Sequence, residues 1–348
     1  MNGKIRFGII GTGVISYTHA SAIGNIEDAE LVSILEPVKK NREAFLAKHN
    51  VRAYENMDDF LADPELDAVT IATPSGIHLD MVLPSARAGK HVLCEKPLDI
   101  TPERAQSLID ACRENKVVLA PVFQYRHIPA TILIKKALDS GRFGKILLAS
   151  ARIKWYRPQE YYDSGGWRGT WRLDGGGCLM NQSIHAIDLM IHFAGRPVEA
   201  YGYTGTVDHA GIEAEDNAAA VVKFDSGAFG VIESSTCCAP GWPLKVEISG
   251  TRGSAAVEAT SLAKWSFADR EPLDDEAAKL IEDAAVAVAA DPRGIAPKNH
   301  QAIIEGMIKT IKTRRKGFVI EGESAKLGLE LICGIYRSMK DGKPVKFS

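Results

Sequence analysis

Two short motifs in the first hundred residues have the composition of a redox site. Gly11-Thr12-Gly13 follows an apolar stretch, and Glu95-Lys96-Pro97 ends a later one. A glycine-rich turn can hold a dinucleotide, and a lysine at the carboxyl end of a strand in the same sheet lies where open α/β folds bind their ligands. This pairing predicts redox chemistry on a small molecule.

The first third of the chain alternates short apolar runs with helical stretches, as a parallel sheet with crossover helices requires. Thr101 followed by Pro102 is typical of a helix start, with a hydroxyl N-cap and a proline at the first position. We therefore predict an α/β Rossmann domain with a doubly wound parallel sheet over residues 1–123. Its predicted strands are 5–10, 31–35, 68–72, 91–94 and 117–122.

From residue 124 the pattern changes to alternating strands, which predicts a second domain over residues 124–348 of the α+β class with an open, largely antiparallel sheet. Turn signals at 225–227 and 250–253 predict hairpins. Several strands are apolar on both faces, so we expect one face to cover helices and the other a partner subunit. The predicted strands are 145–155, 199–206, 218–224, 228–234, 245–249 and 255–259, and helices are predicted within 262–290, 297–312 and 324–339.

The composition of the 348 residues excludes several classes of partner. The formal net charge is only −2, so no broad field attracts nucleic acid or an anionic membrane. No apolar run approaches the ~20 residues of a membrane span, and the first residues lead directly into a strand, so we expect a cytoplasmic location. The six cysteines form no C-x-x-C pair and lack histidines at zinc spacing, so no metal site is predicted.

The glycine turn carries the cofactor prediction. Gly11 and Gly13 stand where a strand turns into a helix that starts near Val14 and Ile15, so backbone N–H groups can face a pyrophosphate. The usual third glycine is Ser16, which is small enough for close packing of the helix on the strand but weakens the match.

Glu36 ends the second predicted strand at the position where a carboxylate can accept both ribose hydroxyls, which favours NAD over NADP. Lys39, Lys40 and Arg42 could soften the conflict with a 2′-phosphate, and Glu36 could instead cap a turn. Thr73, Pro74 and His78 follow the next predicted strand at the same edge of the sheet. His78 either contacts the cofactor or caps a helix.

In the order and spacing of its motifs the chain resembles the glucose-fructose oxidoreductase and inositol dehydrogenase family, Gfo/Idh/MocA, over nearly its full length. This resemblance implies a Rossmann domain, a nicotinamide cofactor contacted also by Glu95 and Lys96, and a homodimer or homotetramer built through the C-terminal sheet. The motifs that carry it are Gly11-Thr-Gly13, Thr73-Pro74 with His78, Glu95-Lys96-Pro97, Tyr125-Arg126 with Pro129, and Gly175-Gly176-Gly177 with His185 and Asp188.

The resemblance also assigns catalytic roles. Lys96 matches the lysine that contacts the reacting hydroxyl and the nicotinamide ribose, and His185 matches the histidine proposed as acid or base. Many members carry an aspartate where this chain has Asn181, and an amide orients a hydroxyl but cannot exchange its proton at neutral pH. A lone histidine among apolar residues is often only a core residue, and a lysine before a proline is often merely exposed.

The chemistry explains the residue types. Hydride transfer from a carbinol leaves a proton that a histidine of ordinary pKa, ~6.5, can accept, while Lys96 stabilises the developing alkoxide. Asn181 and His185 lie four residues apart, so on a helix they share one face. Asp188 is placed to orient the histidine ring or to bind substrate.

Aromatic and cationic residues crowd the segment before this helix. Tyr156, Trp167 and Arg168, with Arg126 from the earlier motif, would suit stacking on a sugar or base and bidentate capture of a carboxylate or phosphate. The segment could equally be a rigid loop between subunits. It is most similar to family members that oxidise the 3-hydroxyl of nucleotide-linked sugars, including UDP-N-acetylglucosaminuronate 3-dehydrogenases.

The predicted function is NAD-dependent oxidation of a secondary hydroxyl on a sugar, polyol or sugar-nucleotide. We expect Lys96 and His185 to meet beside the nicotinamide. Two alternatives remain at this stage. A tightly bound NAD could cycle between two sugars or act transiently in glycoside cleavage, or the protein could be a non-catalytic redox sensor.

Overall fold

The computed structural model describes residues 3–288 and 298–347, without the side chains of residues 284–288. The described chain divides into two compact units. One contains residues 3–124 and 298–326, and the other contains residues 125–288 and 327–347. The predicted helix ends at 290 and 297 lie outside the described residues.

The helices and strands are as follows. The strands are β1 Ile5–Ile10, β2 Ala29–Leu35, β3 Arg52–Tyr54, β4 Ala68–Ile71, β5 His91–Cys94, β6 Leu119–Pro121, β7 Ile146–Lys154, β8 Pro197–Gly205, β9 Asn217–Phe224, β10 Phe229–Ser235, β11 Lys245–Gly250, β12 Gly253–Glu258, β13 Ser261–Phe267 and β14 Val345–Lys346. The α-helices are α1 Val14–Gly24, α2 Lys39–Leu46, α3 Met57–Leu61, α4 His78–Arg87, α5 Pro102–Glu114, α6 Pro129–Asp139, α7 Gln159–Asp163, α8 Ile184–Ala194, α9 Leu273–Val288, α10 Lys298–Thr313 and α11 Gly322–Asp341.

The first unit is built on a parallel sheet with the strand order β3-β2-β1-β4-β5-β6. This is the order of a doubly wound dinucleotide-binding fold, in which ligands bind beyond the carboxyl ends of the strands. The predicted Rossmann sheet is therefore confirmed. The short strand β3 was not predicted, because its three residues are exposed or half-buried and carry no apolar pattern.

The core of the first unit includes a helix from late in the chain. Ile5, Phe7 and Ile9 of β1 are fully buried in it, and α10 contributes Ile304 and Met307 to the same cluster. Residues 298–326 thus group with the first unit, which the predicted boundaries of 1–123 and 124–348 did not include. The sequence shows that α10 is amphipathic, but periodicity does not say which sheet an amphipathic helix covers.

The second unit contains an eight-stranded sheet with the order β13-β12-β11-β7-β10-β9-β8-β14. The strands pair antiparallel except for β7 with β10, so the largely antiparallel sheet is confirmed. Both predicted hairpin turns are present, joining β9 to β10 and β11 to β12. Helix α8 packs against β7 and β11.

The helix predicted within residues 262–290 is present as α9, which begins at Leu273. Residues 262–267, at the start of that segment, form most of strand β13, which was not predicted. The strand lies at the sheet edge, where a single partner strand suffices and an apolar alternation is not needed. Arg142 covers the ring of Phe267 at 4.2 Å, which stabilises this edge.

Among residues 3–288 and 298–347, no helix combines the length and the apolar character needed to cross a bilayer.

Candidate functional site

The glycine turn has the geometry that a pyrophosphate requires. Gly11 has φ of +87°, and an added Cβ would lie 3.0 Å from the Ala72 carbonyl oxygen, so only glycine fits. A Cβ on Gly13 would meet no protein atom within 4 Å, which leaves open space at the start of α1. Val14, in the first turn of that helix, is 84% exposed. An N-terminus that faces open space beside glycines is suited to an anion.

Ser16 occupies the position of the usual third glycine without loss of packing. Ser16 is completely buried, and its hydroxyl donates to the Gly13 carbonyl oxygen at 2.6 Å. The weaker sequence match at this position is therefore compatible with close packing of α1 on the sheet.

Glu36 lies at the same edge and contacts the glycine turn directly. One carboxylate oxygen accepts from the Thr12 N–H at 3.0 Å and from its hydroxyl at 2.9 Å. The other oxygen accepts from the Val38 N–H at 3.0 Å. The carboxylate is thus fixed beside the glycine turn. Its bond to Val38 is the turn cap given as the alternative role, and the ribose contact stays a prediction.

The turn after β4 lies against the glycine turn. The Thr73 methyl carbon is 3.0 Å from the Cβ position of Gly11, and the buried Thr73 hydroxyl has no hydrogen-bond partner among the described residues. An orphaned hydroxyl beside a glycine turn fits a missing ligand. Pro74 follows it, half-buried.

The predicted contact of His78 with a cofactor is not supported. His78 is only 1% exposed, and its Nδ1 and Nε2 atoms lie 2.9 Å and 3.0 Å from the carbonyl oxygens of Pro97 and Thr73. Both ring nitrogens are therefore engaged in joining the turn after β4 to the turn after β5. Helix α4 begins at His78, but its N-cap residue is Ile77 and no side chain caps it, so the predicted capping role is not observed either.

Glu95 anchors the lysine that follows it. One of its oxygens accepts from the Lys96 backbone N–H at 3.1 Å, and the other lies 2.8 Å from His19 Nε2 on α1. Burial acts to raise the pKa of Glu95, but the hydrogen bond and charge of His19 outweigh it and lower the pKa to about 2. The side chain of Glu95 therefore positions Lys96, and the structure gives no support for its predicted contact with the cofactor.

His300 from α10 completes a buried group with these two residues. Its Nε2 atom lies 3.9 Å from the Glu95 carboxylate, and its ring meets the His19 ring edge-on at 5.2 Å. Burial, and then the charge of His19, lower the pKa of His300 to about 4. Although three such side chains resemble a metal ligand set, the His19–Glu95 hydrogen bond already uses the carboxylate oxygen that a metal would need.

In the second unit, the predicted helix after the triple glycine begins differently from the expectation. Residues Cys178–Ser183 form a π-helical turn, and α8 starts only at Ile184. Asn181 lies in the π turn, while His185 lies in the first turn of α8 and is 8% exposed. Single π turns are rare and often occur at functional sites.

Both of these residues have identified neighbours. The Asn181 amide nitrogen donates to the Asp174 carboxylate at 2.7 Å, which turns the amide oxygen away from Asp174. Asp174 also accepts from the Gly169 N–H at 2.9 Å, so it ties the preceding loop to the π turn. The ring of His185 packs on Tyr125 with a centroid distance of 5.2 Å.

The predicted substrate contacts of Arg126 and Asp188 are not supported. The Arg126 guanidinium binds the Asp188 carboxylate through two hydrogen bonds of 2.7 Å and 2.6 Å, and both side chains are buried. Burial raises the pKa of Asp188, and the Arg126 charge opposes that rise. The two residues neutralise one another inside the unit, and Asp188 binds Arg126 in place of orienting His185.

The aromatic and cationic segment forms a stack around Tyr161. The guanidinium carbons of Arg157 and Arg168 lie 5.4 Å and 4.5 Å from the Tyr161 ring centre, and Arg168 also covers Trp167 at 5.1 Å. The Tyr161 hydroxyl accepts from the Gln182 amide at 3.2 Å, next to Asn181. Two cations are thus held beside the π turn. Tyr156 is 44% exposed and pairs with Cys237 in an isolated β-bridge.

Sequence reasoning missed four residues that position this machinery. His19 and His300 surround Glu95, Asp174 holds Asn181, and Glu215 contacts the start of the π turn. Arg157 belongs to the aromatic and cationic segment that the sequence indicated, and it joins Arg168 at the Tyr161 ring. An acid directly before the triple glycine is a weak signal for Asp174. The other three are recognised only through contacts that are distant in sequence.

Cys178 in the π turn is buried, and burial raises its pKa well above the usual value. A buried thiol of this kind is inert as a nucleophile.

The fold and the glycine turn together define a dinucleotide-binding oxidoreductase. Residues 5–123 match the family model described as "Oxidoreductase family, NAD-binding Rossmann fold", and residues 131–256 match the one described as "GFO/IDH/MocA C-terminal domain". The chain belongs to the Gfo/Idh/MocA family of NAD-dependent oxidoreductases.

Two solved structures are similar over the whole chain. The WlbA dehydrogenase of Bordetella pertussis, in complex with NADH and UDP-GlcNAcA, is 32% identical with a TM-score of 0.91, covering 100% of this chain and 99% of the other. The WlbA dehydrogenase of Chromobacterium violaceum, with the same ligands, is 31% identical with a TM-score of 0.90, covering 100% and 97%. Inositol 2-dehydrogenase of Rhizobium meliloti is 28% identical over 282 residues, 78% of this chain and 82% of that protein.

Proposed function

We propose that this protein oxidises a secondary hydroxyl of a nucleotide-linked sugar acid, with the 3-hydroxyl of a UDP-N-acetylhexosaminuronate as the first candidate. The observation that carries the proposal is the full-length similarity, at 32% identity, to a dehydrogenase solved with NADH and UDP-GlcNAcA. Membership of the family alone makes the chain an NAD-dependent oxidoreductase acting on CH–OH groups.

The Arg157–Tyr161–Arg168 stack supports this choice of substrate class. A sugar nucleotide carries a diphosphate, and a sugar acid adds a carboxylate, so the substrate needs cations that an inositol does not. Contact with the Tyr161 ring limits the rotation of both guanidinium groups, which lowers the entropy lost on binding. Tyr156 and Trp167 offer flat surfaces near these cations for a sugar or base.

Three side chains would carry out the chemistry. NAD, when bound, would supply the hydride acceptor. Lys96 stabilises the negative charge that develops on the substrate oxygen, and His185 accepts the hydroxyl proton. Asn181 donates or accepts a hydrogen bond to hold the hydroxyl, and Asp174 fixes its amide.

We also propose roles for the residues that would bind NAD. Gly11 and Gly13 admit the pyrophosphate to the start of α1, where Val14 and Ile15 lie in the first helical turn. Glu36 accepts the adenosine ribose hydroxyls. Thr73 and Pro74 line the same edge of the sheet beside the glycine turn.

The direct test follows NADH absorbance with purified protein and a panel of substrates. We expect activity with UDP-N-acetylglucosaminuronate, weaker activity with UDP-N-acetylglucosamine, which lacks the carboxylate, and little with myo-inositol. NAD should be preferred to NADP. Activity restricted to free polyols would overturn the substrate assignment, and ketone without stoichiometric NADH release would favour a cofactor cycled between two sugars.

Variants separate the roles. Lys96→Ala and His185→Ala should each lower turnover by orders of magnitude and retain NADH binding measured by fluorescence, while Lys264→Ala, an exposed lysine on β13, is the control. Arg168→Ala should raise KM for the sugar nucleotide and leave KM for NAD unchanged. Unimpaired turnover of either catalytic variant would remove that residue from the mechanism.

We also propose that the protein is a homo-oligomer assembled through the outer face of the second sheet. Val221 on β9 pairs with Val231 on β10, and both are exposed, by 56% and 41%. Tyr203 and Phe229 extend this apolar face, exposed by 68% and 58%. A contiguous apolar surface of this kind on one sheet face is typical of a subunit interface.

Sedimentation velocity tests the interface. Val221→Glu together with Val231→Glu should convert a dimer or tetramer to smaller species, while Lys264→Glu on β13 should not. A wild-type protein that sediments as a monomer at micromolar concentration would refute this part of the proposal.

A further inference from the structure

A single side chain from the segment directly before strand β9 holds the start of the segment that carries Asn181 and His185. The Glu215 carboxylate accepts from the Gly177 N–H at 3.0 Å through one oxygen and from the Leu179 N–H at 2.9 Å through the other. Its backbone carbonyl oxygen accepts from the intervening N–H of Cys178 at 2.9 Å. The first N–H groups of a helical segment have no partner within it, and here one residue satisfies three in succession.

Two residues of the triple glycine, Gly176 and Gly177, make this close approach possible. A Cβ on Gly177 would lie 1.7 Å from the Glu215 carbonyl oxygen, and one on Gly176 would lie 2.2 Å from the Tyr336 hydroxyl oxygen. Tyr336, on α11, also donates its hydroxyl to the Glu215 carboxylate at 2.9 Å. The two glycines therefore allow the segment before β9, helix α11 and the π turn to meet at one carboxylate.

The π turn transmits this contact to the proposed catalytic residues. The Asn181 N–H donates to the Gly177 carbonyl oxygen at 2.9 Å, so Asn181 is fixed relative to the residue that Glu215 binds. The π turn runs without a break into α8, where His185 is the second residue. A displacement at Gly177 must therefore move both side chains.

We propose that Glu215 is a positioning residue for the dehydrogenase reaction, whose carboxylate fixes the π turn and thereby the orientation of Asn181 and His185. The inference rests on the proposed function for its catalytic consequence. Glu215 itself is 4% exposed and acts through the turn.

The surroundings of Glu215 make the ionised form the one that holds the turn. Three donors converge on its oxygens, and a protonated carboxyl would point an O–H at one of them. Burial raises the pKa of Glu215 to about 7, while its hydrogen bonds with Leu179 and Tyr336 act against the rise. Burial and the Glu215 charge also raise the pKa of Tyr336 well above its usual value, so Tyr336 stays a donor.

Other titratable groups nearby are few among the described residues. The Cys178 thiol faces the carboxylate, and its pKa is raised, first by burial and then by the Glu215 charge, so it stays neutral. Glu213 and Lys340 line the adjoining cavity of about 430 Å³ together with Tyr336. Neither of the two is among the hydrogen-bond partners of Glu215. Glu215 is therefore the group in this cluster expected to titrate near neutral pH.

The experiment compares Glu215→Gln and Glu215→Ala with the wild type, and uses Glu258→Gln on β12, a side chain 44% exposed, as the matched control. Hydrogen exchange of the amides of residues 177–179 is measured by mass spectrometry, and kcat and KM are measured from pH 6 to 9. We expect faster exchange in both Glu215 variants and unchanged exchange in the control. Misplacement of catalytic groups by about 1 Å can cost 10²-fold in rate, so kcat should fall about 100-fold in Glu215→Ala and less in Glu215→Gln.

The pH profile separates positioning from mere stability. In the wild type, kcat should rise through pH 7 partly because Glu215 ionises, and that part of the rise should be absent in Glu215→Gln. A residue that only stabilised the fold would lower the melting temperature without changing the profile. Binding of NADH should be the same in all four proteins.

Tyr336→Phe keeps the test decisive if the Ala variant does not fold, because it removes one donor and leaves the carboxylate. It should lower kcat and speed exchange at 177–179 by smaller factors. Wild-type exchange rates in the folded Glu215 variants would overturn the inference, whether or not a substrate is found. Absence of sugar oxidation by the wild type with altered exchange in the variants would instead refute the proposed function alone.

Discussion

Substituting alanine for Gly13 separates the folding role of a glycine from its role in cofactor binding. Gly13 has φ of −68° and ψ of −176°, an extended conformation that alanine adopts without strain. An added Cβ meets no protein atom within 4 Å. The folded protein should therefore accept the methyl group, and only a ligand placed against the start of α1 should collide with it.

The expected losses of stability and of NADH affinity differ in size and in cause. Gly13 is the N-cap of α1, where alanine is less favourable than glycine, so the free energy of unfolding should fall by about 1 kcal/mol or less. A methyl group between the backbone and a phosphate removes a charge-assisted hydrogen bond worth about 1.5–3 kcal/mol. Kd for NADH should therefore rise about 10- to 100-fold, since each 1.4 kcal/mol corresponds to a factor of about ten.

The measurements are urea unfolding without cofactor and fluorescence titration with NADH. Gly24→Ala is the matched control, because Gly24 ends the same helix and its Cβ would also meet nothing within 4 Å. It should retain the wild-type Kd and gain up to about 1 kcal/mol of stability from the better helix former. An unchanged Kd in Gly13→Ala would show that no pyrophosphate approaches this turn, and would refute the cofactor placement.

Three further outcomes are expected. Thr101→Ala removes the hydroxyl that accepts a first-turn N–H of α5 at 3.3 Å and should lower the free energy of unfolding by about 1 kcal/mol in urea, whereas an unchanged value would argue against the cap. The pKa of His300 is about 4 in the folded protein against a usual 6.5, so its contribution to the free energy of unfolding is complete above pH 6.5 and is lost as the pH falls towards 4. In urea unfolding over that pH range, the wild type should lose about 3 kcal/mol more free energy of unfolding than His300→Gln. Equal losses in the two proteins would contradict the lowered pKa. Arg126→Met and Asp188→Leu should each lower the free energy of unfolding by about 3–5 kcal/mol, because each leaves one buried charge without its partner. The double variant should lose less than the sum of the two single losses, and additive losses would exclude the buried pair.

The sequence predicted well what short-range patterns determine. The bounds of β1 and β5 agree residue for residue, because each is an apolar run ended by turn chemistry. The cap at Thr101 was recognisable for the same reason. Features that depend on one strand or one cap could thus be predicted without the fold.

Assignments that depend on a distant partner were less successful. His78, Arg126 and Asp188 have the residue types of a binding site, yet the partners of each are protein groups elsewhere in the fold. The triple glycine correctly marked the start of the proposed catalytic segment. The carboxylate that these glycines admit belongs to Glu215, in the segment directly before β9, and no local pattern encodes a contact between residues so far apart in sequence.

Buried carboxylates share one task across both units. Glu36 accepts the Thr12 N–H of the glycine turn, Glu95 accepts the Lys96 N–H, and Glu215 accepts the N–H groups at the start of the π turn. In each case a backbone donor of a functional segment, and not its reactive side chain, is the fixed point. A glutamine at any of these positions would turn one acceptor oxygen into an NH₂ donor.

The effect of each glutamine substitution should follow the number of donors whose hydrogen bonds the carboxylate accepts. Glu36 and Glu215 each bind three donors, two of them backbone N–H groups, so an amide must leave at least one donor facing another. Glu95 binds one backbone donor and a histidine whose ring nitrogen can switch between donor and acceptor, so Glu95→Gln should disturb its backbone donor least. Hydrogen exchange of the backbone donors in the three glutamine variants would test this order, and the greatest acceleration in Glu95→Gln would contradict it.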